Sequence, residues 1–362
     1  MAGMKVHERF KAGISRYQPS DADDLAGFQR VAFGSDARQL DHDRFAWLYE
    51  HNPGHHDDEP GVWLCRRNGV VVGQQGEIGF DVKVGTEQHP AVWAVDLMVD
   101  PDWRMRGIGP GLVATHLEQR PLVAGVTQSD EAIKLYDAFE WTHVATVPSY
   151  LRPLDARRTM AVAPVPRRIR PLGVVLGPAL RIIDAVLAVV LRLAGLRLRR
   201  VERFDERVDD VWERSSPDYP VLAQRDAAHV RWRFDECPEA GELQRYYLTR
   251  RRRTLGYVVL RPGERWGQPV SLVIDYLAPV RWVAPLLTCA AHEARRQGAF
   301  ALVCRTLNRP ADGWLRFALF VRRGMDVAAP LRLVMHCTTP VVCAVFGDPD
   351  AWLLTAADSD LS

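Results

Sequence analysis

Arg104-Met105-Arg106-Gly107-Ile108-Gly109 is the stretch whose residue types and spacing point most directly to chemistry. The apolar run Val92 to Val99 leads into it and Leu112-Val113-Ala114 follows. A strand is therefore expected to end at Val99-Asp100-Pro101, turn through small residues and pass into a helix. Such a turn presents backbone N–H groups and a helix N-terminus to an anion. Gly107 and Gly109 let phosphate oxygens approach the main chain, while Arg104 and Arg106 add positive charge. The pattern reads as a diphosphate cradle. It contains no G-x-G-x-x-G followed by an acid about 20 residues on, and no G-x-x-x-x-G-K-[ST], which sets aside dinucleotide and P-loop sites.

Arg104, Gly107 and Gly109 fall on the R/Q-x-x-G-x-G/A signature of the Gcn5-related N-acetyltransferase (GNAT) superfamily, which the segment resembles. Downstream, Ala132-Ile133-Lys134-Leu135-Tyr136-Asp137-Ala138-Phe139-Glu140-Trp141 is similar to that family's A-x-x-L-Y-x-x-x-G-F segment, with Glu140-Trp141 where Gly-Phe is usual. Upstream, Ser15-Arg16-Tyr17, Pro19-Ser20-Asp21 and the apolar Leu25, Phe28 and Val31 resemble its first strand and first helix. The resemblance implies an α/β (α+β) fold, a mixed and mostly antiparallel twisted sheet flanked by helices. It implies acetyl-CoA or another acyl-CoA as co-substrate, its diphosphate held by Arg104, Met105, Arg106, Gly107, Ile108 and Gly109. Backbone N–H groups near Met98 and Val99, where the family's strand splays from its neighbour, would bond the pantetheine arm and polarise the thioester carbonyl. Ser129 stands in the region where the family often places an Asn against the cofactor.

Acyl transfer from a thioester to an amine needs a deprotonated amine, a stabilised oxyanion and a proton for the departing thiolate. An amine with a pKa of about 10.4 is mostly protonated at neutral pH, and the leaving thiol has a pKa of about 8.5. Tyr136 is the expected acid, because a phenol is protonated at neutral pH and can donate to sulfur; the competing reading is a buried structural tyrosine. Asp96 is the expected base or acceptor anchor, a carboxylate in a strand otherwise made of Ala, Val, Leu and Met. It resembles the acidic residue that many GNAT enzymes carry there, although Val95 precedes it where several of them have a second acid. The competing readings are a carboxylate satisfied locally and Glu77 as the base.

The elements that must position these groups can be read in outline. Val62 to Arg66 and Val70 to Phe80 read as strands joined through Asn68-Gly69, a strong hairpin signal. A helix over Gly111 to Gln119, a strand over Pro121 to Thr127, the Tyr136 helix and a returning strand near His143 to Arg152 complete a first domain, 1–155. Residues 156–200 form a connector: Arg157, Arg158, Arg167, Arg168 and Arg170 among prolines, then Leu172 to Leu198 at helical spacing. Its stripe is expected to be Leu172, Leu176, Ala179, Leu180, Ile183, Leu187, Val190, Leu191 and Ala194. Arg181, Asp184 and Arg192 argue against a spanning helix. Packing between domains or in a homodimer is the first reading; a peripheral membrane helix flanked by arginines is the second.

The remainder, 201–362, repeats the first part. Phe45 to Pro53 matches Val230 to Pro238 with the same Trp-to-Pro spacing, Val95-Asp96-Leu97-Met98 parallels Ile274-Asp275-Tyr276-Leu277, and Gly324-Met325 stands where Glu140-Trp141 stands. The expectation is two tandem GNAT-like domains. The second is degenerate, since Val280-Arg281-Trp282-Val283-Ala284-Pro285-Leu286 replaces the Gly-rich turn and no tyrosine lies in Trp314 to Val321.

Composition narrows the function classes. A net charge of +2 over 362 residues with scattered aromatics points away from nucleic acid. Six cysteines without a C-x-x-C pair read as free thiols in a reducing cytoplasm, with no zinc site. Met1 to Ala12 carries no apolar core of signal-peptide length, so a cytoplasmic location is expected. His55-His56-Asp57-Asp58-Glu59 reads as a surface loop, Arg250 to Arg253 as a solvated hairpin tip, and Trp352 to Thr355 with Asp358-Ser359-Asp360 as a terminal strand and acidic tail. The sequence thus describes an acyl-CoA-dependent N-acyltransferase acting on a small-molecule or peptide amine by direct attack in a ternary complex. Alternatives are a non-catalytic acyl-CoA sensor or scaffold, and a Fem-type aminoacyl transferase, which would have no intact diphosphate loop.

Overall fold

The computed structural model describes residues 8–57, 59–126, 129–162, 168, 171–323 and 331–358. The expected strand end at Thr127, Arg167 and Arg170 of the connector, the Gly324-Met325 pair, Asp58, Ser359 and Asp360 lie outside the described residues. The chain divides into two compact units that are not contiguous in sequence. The first comprises Met1–Thr146, Glu236–Pro238 and Ala329–Pro349; the second comprises Val147–Asp235, Glu239–Ala328 and Asp350–Ser362.

In the first unit β1 (Ile14–Arg16), β2 (Val62–Arg67), β3 (Val70–Val84) and β4 (Glu87–Val99) pair antiparallel in that order, and β5 (Leu122–Gly125) joins β4 in parallel. The β2–β3 turn works because Asn68 and Gly69 both take positive φ, 51° and 81°, as a two-residue hairpin of this hand requires. Around the sheet lie α1 (Glu8–Lys11), α2 (Ala22–Phe33), α3 (His42–Phe45), α4 (Ile108–Gln119) and α5 (Asp130–Ala138). β6 (Thr142–Thr146) is separated from β5 by β16 (Arg332–Cys337), antiparallel to both. One buried cluster joins Val92 and Ala94 of β4, Val113 and Ala114 of α4, Val123 of β5 and Ile133 and Tyr136 of α5.

The second unit runs β7 (Ser149–Pro153), α6 (Ala156–Val162), α7 (Leu172–Leu193), β8 (Leu196–Val201), α8 (Arg207–Ser215), β9 (Val221–Ala223), α9 (Ala227–Asp235), β10 (Gln244–Arg250), β11 (Arg253–Arg265), β12 (Gln268–Leu277), α10 (Val280–Arg296), β13 (Ala301–Arg305), β14 (Leu307–Asn308), α11 (Asp312–Phe317) and β15 (Val321–Arg323). Its main sheet has the order β15-β7-β13-β12-β11-β10-β8. β17 (Trp352–Leu354) pairs with β9 and β14 in a short ladder. With the short strands β9 and β14 set aside, the order β8-α8-α9-β10-β11-β12-α10-β13-α11-β15 parallels β1-α2-α3-β2-β3-β4-α4-β5-α5-β6 of the first unit.

Several expectations are corrected here. The returning strand near His143 to Arg152 is two strands: β6 pairs β16 in the first unit, whereas β7 pairs β13 and β15 in the second. Pro148 between them has no N–H and a fixed φ, so one ladder cannot run through it. Reciprocally, β16 follows β15 in the chain yet completes the first unit's sheet. The α4 helix starts three residues earlier than expected, because Gly107 in the left-handed region (φ 80°) caps it. The connector helix stops at Leu193, Gly195 (φ 75°) turns the chain, and Leu198 lies in β8.

The single expected stripe of α7 is split. Leu180, Leu187 and Leu191 are half-buried, whereas Leu176, Ala179, Ile183, Val190 and Ala194 are exposed. The residue that fixes the helix's inner side is Asp184, buried and paired with Arg152 and Arg295. The cysteine reading is also corrected, since Cys337 and Cys343 form a disulfide with Cα atoms 5.5 Å apart. α12 (Pro340–Phe346) begins directly after β16 and brings Cys343 back against the strand's last residue. Cys65, Cys237 and Cys304 are buried free thiols, and Cys289 is a half-buried one.

Candidate active site

β4 supplies the site's framework. It pairs with β3 as far as Val99, but with β5 only at Val92↔Val123 and Trp93↔Ala124. From Ala94 to Val99 its other edge has no strand partner among the described residues, so Met98 and Val99 border an opening between β4 and β5. An unpaired edge of this kind leaves backbone N–H and C=O groups for a ligand. The turn that follows is built by local rules. Asp100 accepts from Asp102 N at 2.8 Å and starts a short 3-10 turn over Pro101–Trp103. Met105 (φ 60°) and Gly107 (φ 80°) take left-handed conformations, and α4 begins at Ile108. Alternating backbone hand of this sort turns successive N–H groups into one concavity that suits an anion.

The turn's side chains are outward and available. Arg104 Nε donates to Val99 O at 3.3 Å and its Nη2 lies 4.0 Å from Met98 Sδ. The Arg106 guanidinium sits over the Trp103 ring at 5.0 Å, and Met105 is fully exposed. Neither arginine has an ion pair with a carboxylate among the described residues. The two glycines differ. A Cβ at Gly107 would collide with the Phe10 ring, whereas at Gly109 it would meet only ordinary contact with Leu135 Cδ2 at 3.5 Å. Packing alone therefore requires Gly107, while Gly109 leaves space at the mouth of the turn, as a bound diphosphate needs. The residues present fit acyl-CoA on these grounds.

Asp96 lies at a β-bulge, where Gly76↔Val95 steps to Gln74↔Met98, and it has positive φ, 50°, rare for a non-glycine residue within a strand. Its Oδ1 accepts from Gln39 Nε2 at 2.9 Å and its Oδ2 from Tyr49 Oη at 3.0 Å, while Gln74 donates to its backbone carbonyl at 3.2 Å. The carboxylate is half-buried and satisfied by neutral donors. Sequence reasoning missed Gln39, Tyr49 and Gln74. Tyr49 lay inside the repeated Phe45 to Pro53 segment, but nothing local signals a partner 47 positions away.

Tyr136 is 2% exposed and stacked on Trp141, with ring centroids 4.2 Å apart. Burial pushes its phenol well above the usual range, so it stays protonated at neutral pH. Leu97 packs into the Tyr136 cluster while Asp96 turns to Gln39 and Tyr49, so the two candidate groups lie toward opposite faces of β4. Trp141, standing where the family has Phe, keeps an aromatic partner for the tyrosine. Ser129 is the N-cap of α5, its Oγ accepting from Ala132 N at 3.2 Å.

Glu77 is not free to act as a base. Its carboxylate is fully buried, 2.8 Å from Arg16, 3.0 Å from His116 Nε2 and hydrogen-bonded by Arg120. Burial alone would raise it, but the close His116 ring, the Arg120 hydrogen bonds and the charge of Arg16 outweigh burial and hold it well below the usual carboxylate range. Asp57 of the His55 to Glu59 tract belongs to this network through Arg120 and Arg16, with its carboxyl lowered chiefly by the Arg120 hydrogen bond. Among the described residues no group of three or more His, Cys, Asp or Glu is placed to hold a metal ion.

No family model matches the sequence, and no curated protein does. Solved structures are similar over most of the chain at low identity. A GCN5-related N-acetyltransferase from Anabaena variabilis matches with a TM-score of 0.64 at 10% identity, over 91% of this chain and 74% of that one. A GCN5-related N-acetyltransferase from Kribbella flavida matches with a TM-score of 0.59 at 14% identity, over 89% and 70%. Saccharomyces cerevisiae N-myristoyltransferase with bound myristoyl-CoA matches with a TM-score of 0.53 at 11% identity, over 92% and 84%. With its splayed central strands and left-handed turn into α4, this chain has the fold of the GNAT superfamily.

Proposed function

We propose that the protein is an acyl-CoA-dependent N-acyltransferase, most simply one that moves acetyl from acetyl-CoA to a primary amine. The observation that carries this reading is the β4–β5 opening that leads directly into the turn at 104–109, with Gly109 unobstructed. Backbone N–H groups of the turn, with Arg104 and Arg106, would hold the diphosphate. Main-chain groups at Met98 and Val99 would hold the pantetheine arm and polarise the thioester carbonyl. The neutral amine nitrogen attacks that carbonyl, the C–N bond forms and the C–S bond breaks, and the proton that the nitrogen sheds ends on the departing thiolate, so that an amide and free CoA thiol leave.

Asp96 would orient the amine, each of its oxygens keeping acceptor capacity beside its one donor. Tyr136 would donate a hydrogen bond to the leaving sulfur. With its phenol raised above the thiol range, stabilising the thiolate by a hydrogen bond is favoured over full proton transfer. Calorimetry with acetyl-CoA and CoA, followed by turnover across small and peptidyl amines, tests the reading. Tight binding without turnover would indicate a sensor, and no binding would remove the proposal.

A further inference from the structure

α7 is inverted relative to an ordinary surface helix. Its one acidic residue, Asp184, is 3% exposed and tied to Arg152 and Arg295 at 2.6 and 2.7 Å, while the opposite side is apolar and open. Ile182, Val186, Val189, Val190 and Leu193 are 53 to 84% exposed. Their spacing of three and four residues makes them one continuous face that extends back to Leu176. A soluble surface does not carry so large a contiguous apolar patch without something to cover it. The buried ion pairs of Asp184 also prevent the helix from rolling this face inward.

The charges around the face identify what covers it. Arg181 and Arg192 are exposed on α7, and Arg197, Arg199 and Arg200 are exposed on β8, which follows after one turn. Arg250 Nε donates to Ala194 O at 3.0 Å, so the β10–β11 turn with Arg251 and Arg252 stands at the C-terminal end of α7. From that turn an open cavity of about 680 Å³ extends past Arg214 and Arg281. Arg251, Arg252, Arg253 and Arg281 have no ion pair among the described residues. Between Leu172 and Val201 no acidic side chain is exposed.

We infer that the second unit docks on an anionic phospholipid surface, with the apolar face of α7 at the acyl boundary and the arginines around it on phosphate headgroups. An interfacial helix combines these features: an apolar face, basic flanks and a length of about 33 Å lying in the membrane plane. No helix among the described residues is long and apolar enough to cross a membrane. A second copy of the chain is the poorer occupant, since a two-fold contact through α7 would bring arginine against arginine.

Co-sedimentation of the full chain with phosphatidylcholine vesicles, with and without phosphatidylglycerol, tests the inference. Binding is expected only to the anionic vesicles and should weaken as salt is raised. Ile182→Asp with Val186→Asp should reduce it at least about tenfold, and so should Arg251→Ala with Arg252→Ala on the exposed turn. Equal binding to both vesicle types, or either double variant binding as well as the parent, overturns the inference. So does light scattering that shows a dimer of the parent chain and a monomer of the Ile182/Val186 variant, which would assign the face to a second copy. Acetyl-CoA affinity measured alongside should be unchanged in both variants.

Discussion

Asp96 and Asp275 occupy the same step of two similar sheets, and their surroundings diverge. Each stands at a bulge near the end of the strand before the helix, in β4 and in β12. Asp96 is half-buried, has positive φ and is met by Gln39 and Tyr49, neutral groups that leave it open on one side. Asp275 is 1% exposed and closed in by Arg225, Tyr257 and Thr355, with Asp358 on the far side of Arg225. The following turns diverge in the same sense. Residues 100–107 form a glycine-bearing loop with left-handed residues at Met105 and Gly107, whereas α10 starts at once after Pro279, and its first N–H is taken by Asp218 at 2.8 Å. A half-buried carboxylate held by neutral donors beside an open loop keeps acceptor capacity to spare, as the proposed acyl transfer requires. One sealed by an internal arginine beside a filled helix start serves stability.

The largest expected effect tests the sealed site. Asp275→Asn should cost about 3 kcal/mol, because its NH2 would face a buried donor, Arg225 or Tyr257, that the carboxylate now satisfies, with Asp358 still balancing the Arg225 charge. Asp96→Asn should cost no more than about 1 kcal/mol. Chemical denaturation reads both, and equal losses would erase the distinction. Next comes the loop: Gly109→Glu should weaken acetyl-CoA binding by about a thousandfold while the protein still folds, since a Cβ there makes only ordinary contacts and the added negative charge opposes the diphosphate. Arg281→Glu at the corresponding helix start of the second unit should leave that affinity alone, and calorimetry on the pair would show otherwise if both units bind.

Tyr136→Phe preserves the stack on Trp141 and should lower turnover about a hundredfold with little change in acetyl-CoA affinity. Unaltered turnover would return Tyr136 to a packing role. The smallest effect separates the units by pH. Glu77, lowered in the folded state, contributes stability that is present above its unfolded pKa and lost as pH falls. Asp358, raised chiefly by burial, contributes in the opposite sense, with stability present at low pH and lost as pH rises through its folded pKa. Hydrogen exchange corrected for intrinsic rates, compared at about pH 7 and about pH 4, should show the Glu77 region losing protection on acidification and the Asp358 region holding or gaining it.

What could be read from the sequence was what is encoded locally. The Asn68-Gly69 hairpin, the strand into the 104–109 turn, the Tyr136 helix and the repeat of element order all rest on neighbours within a few residues. What could not be read depends on distant partners. Nothing near Asp96 announces Gln39 or Tyr49, and Glu77 reads as an available acid until Arg16, His116 and Arg120 close around it. The stripe on α7 gave its periodicity correctly but not its inner side, which an ion pair to Arg152 and Arg295 decides. Cys337 and Cys343 meet only because a helix starts after β16.

β16 also sets an order of events during synthesis. The sheet that carries the β4–β5 opening lacks the strand between β5 and β6 until residue 337 has emerged, so that sheet cannot close until a strand about 190 residues beyond β6 is made. Loop closure across so long a separation is slow. Until it occurs, the facing edges of β5 and β6 lack their strand and are open to non-native pairing.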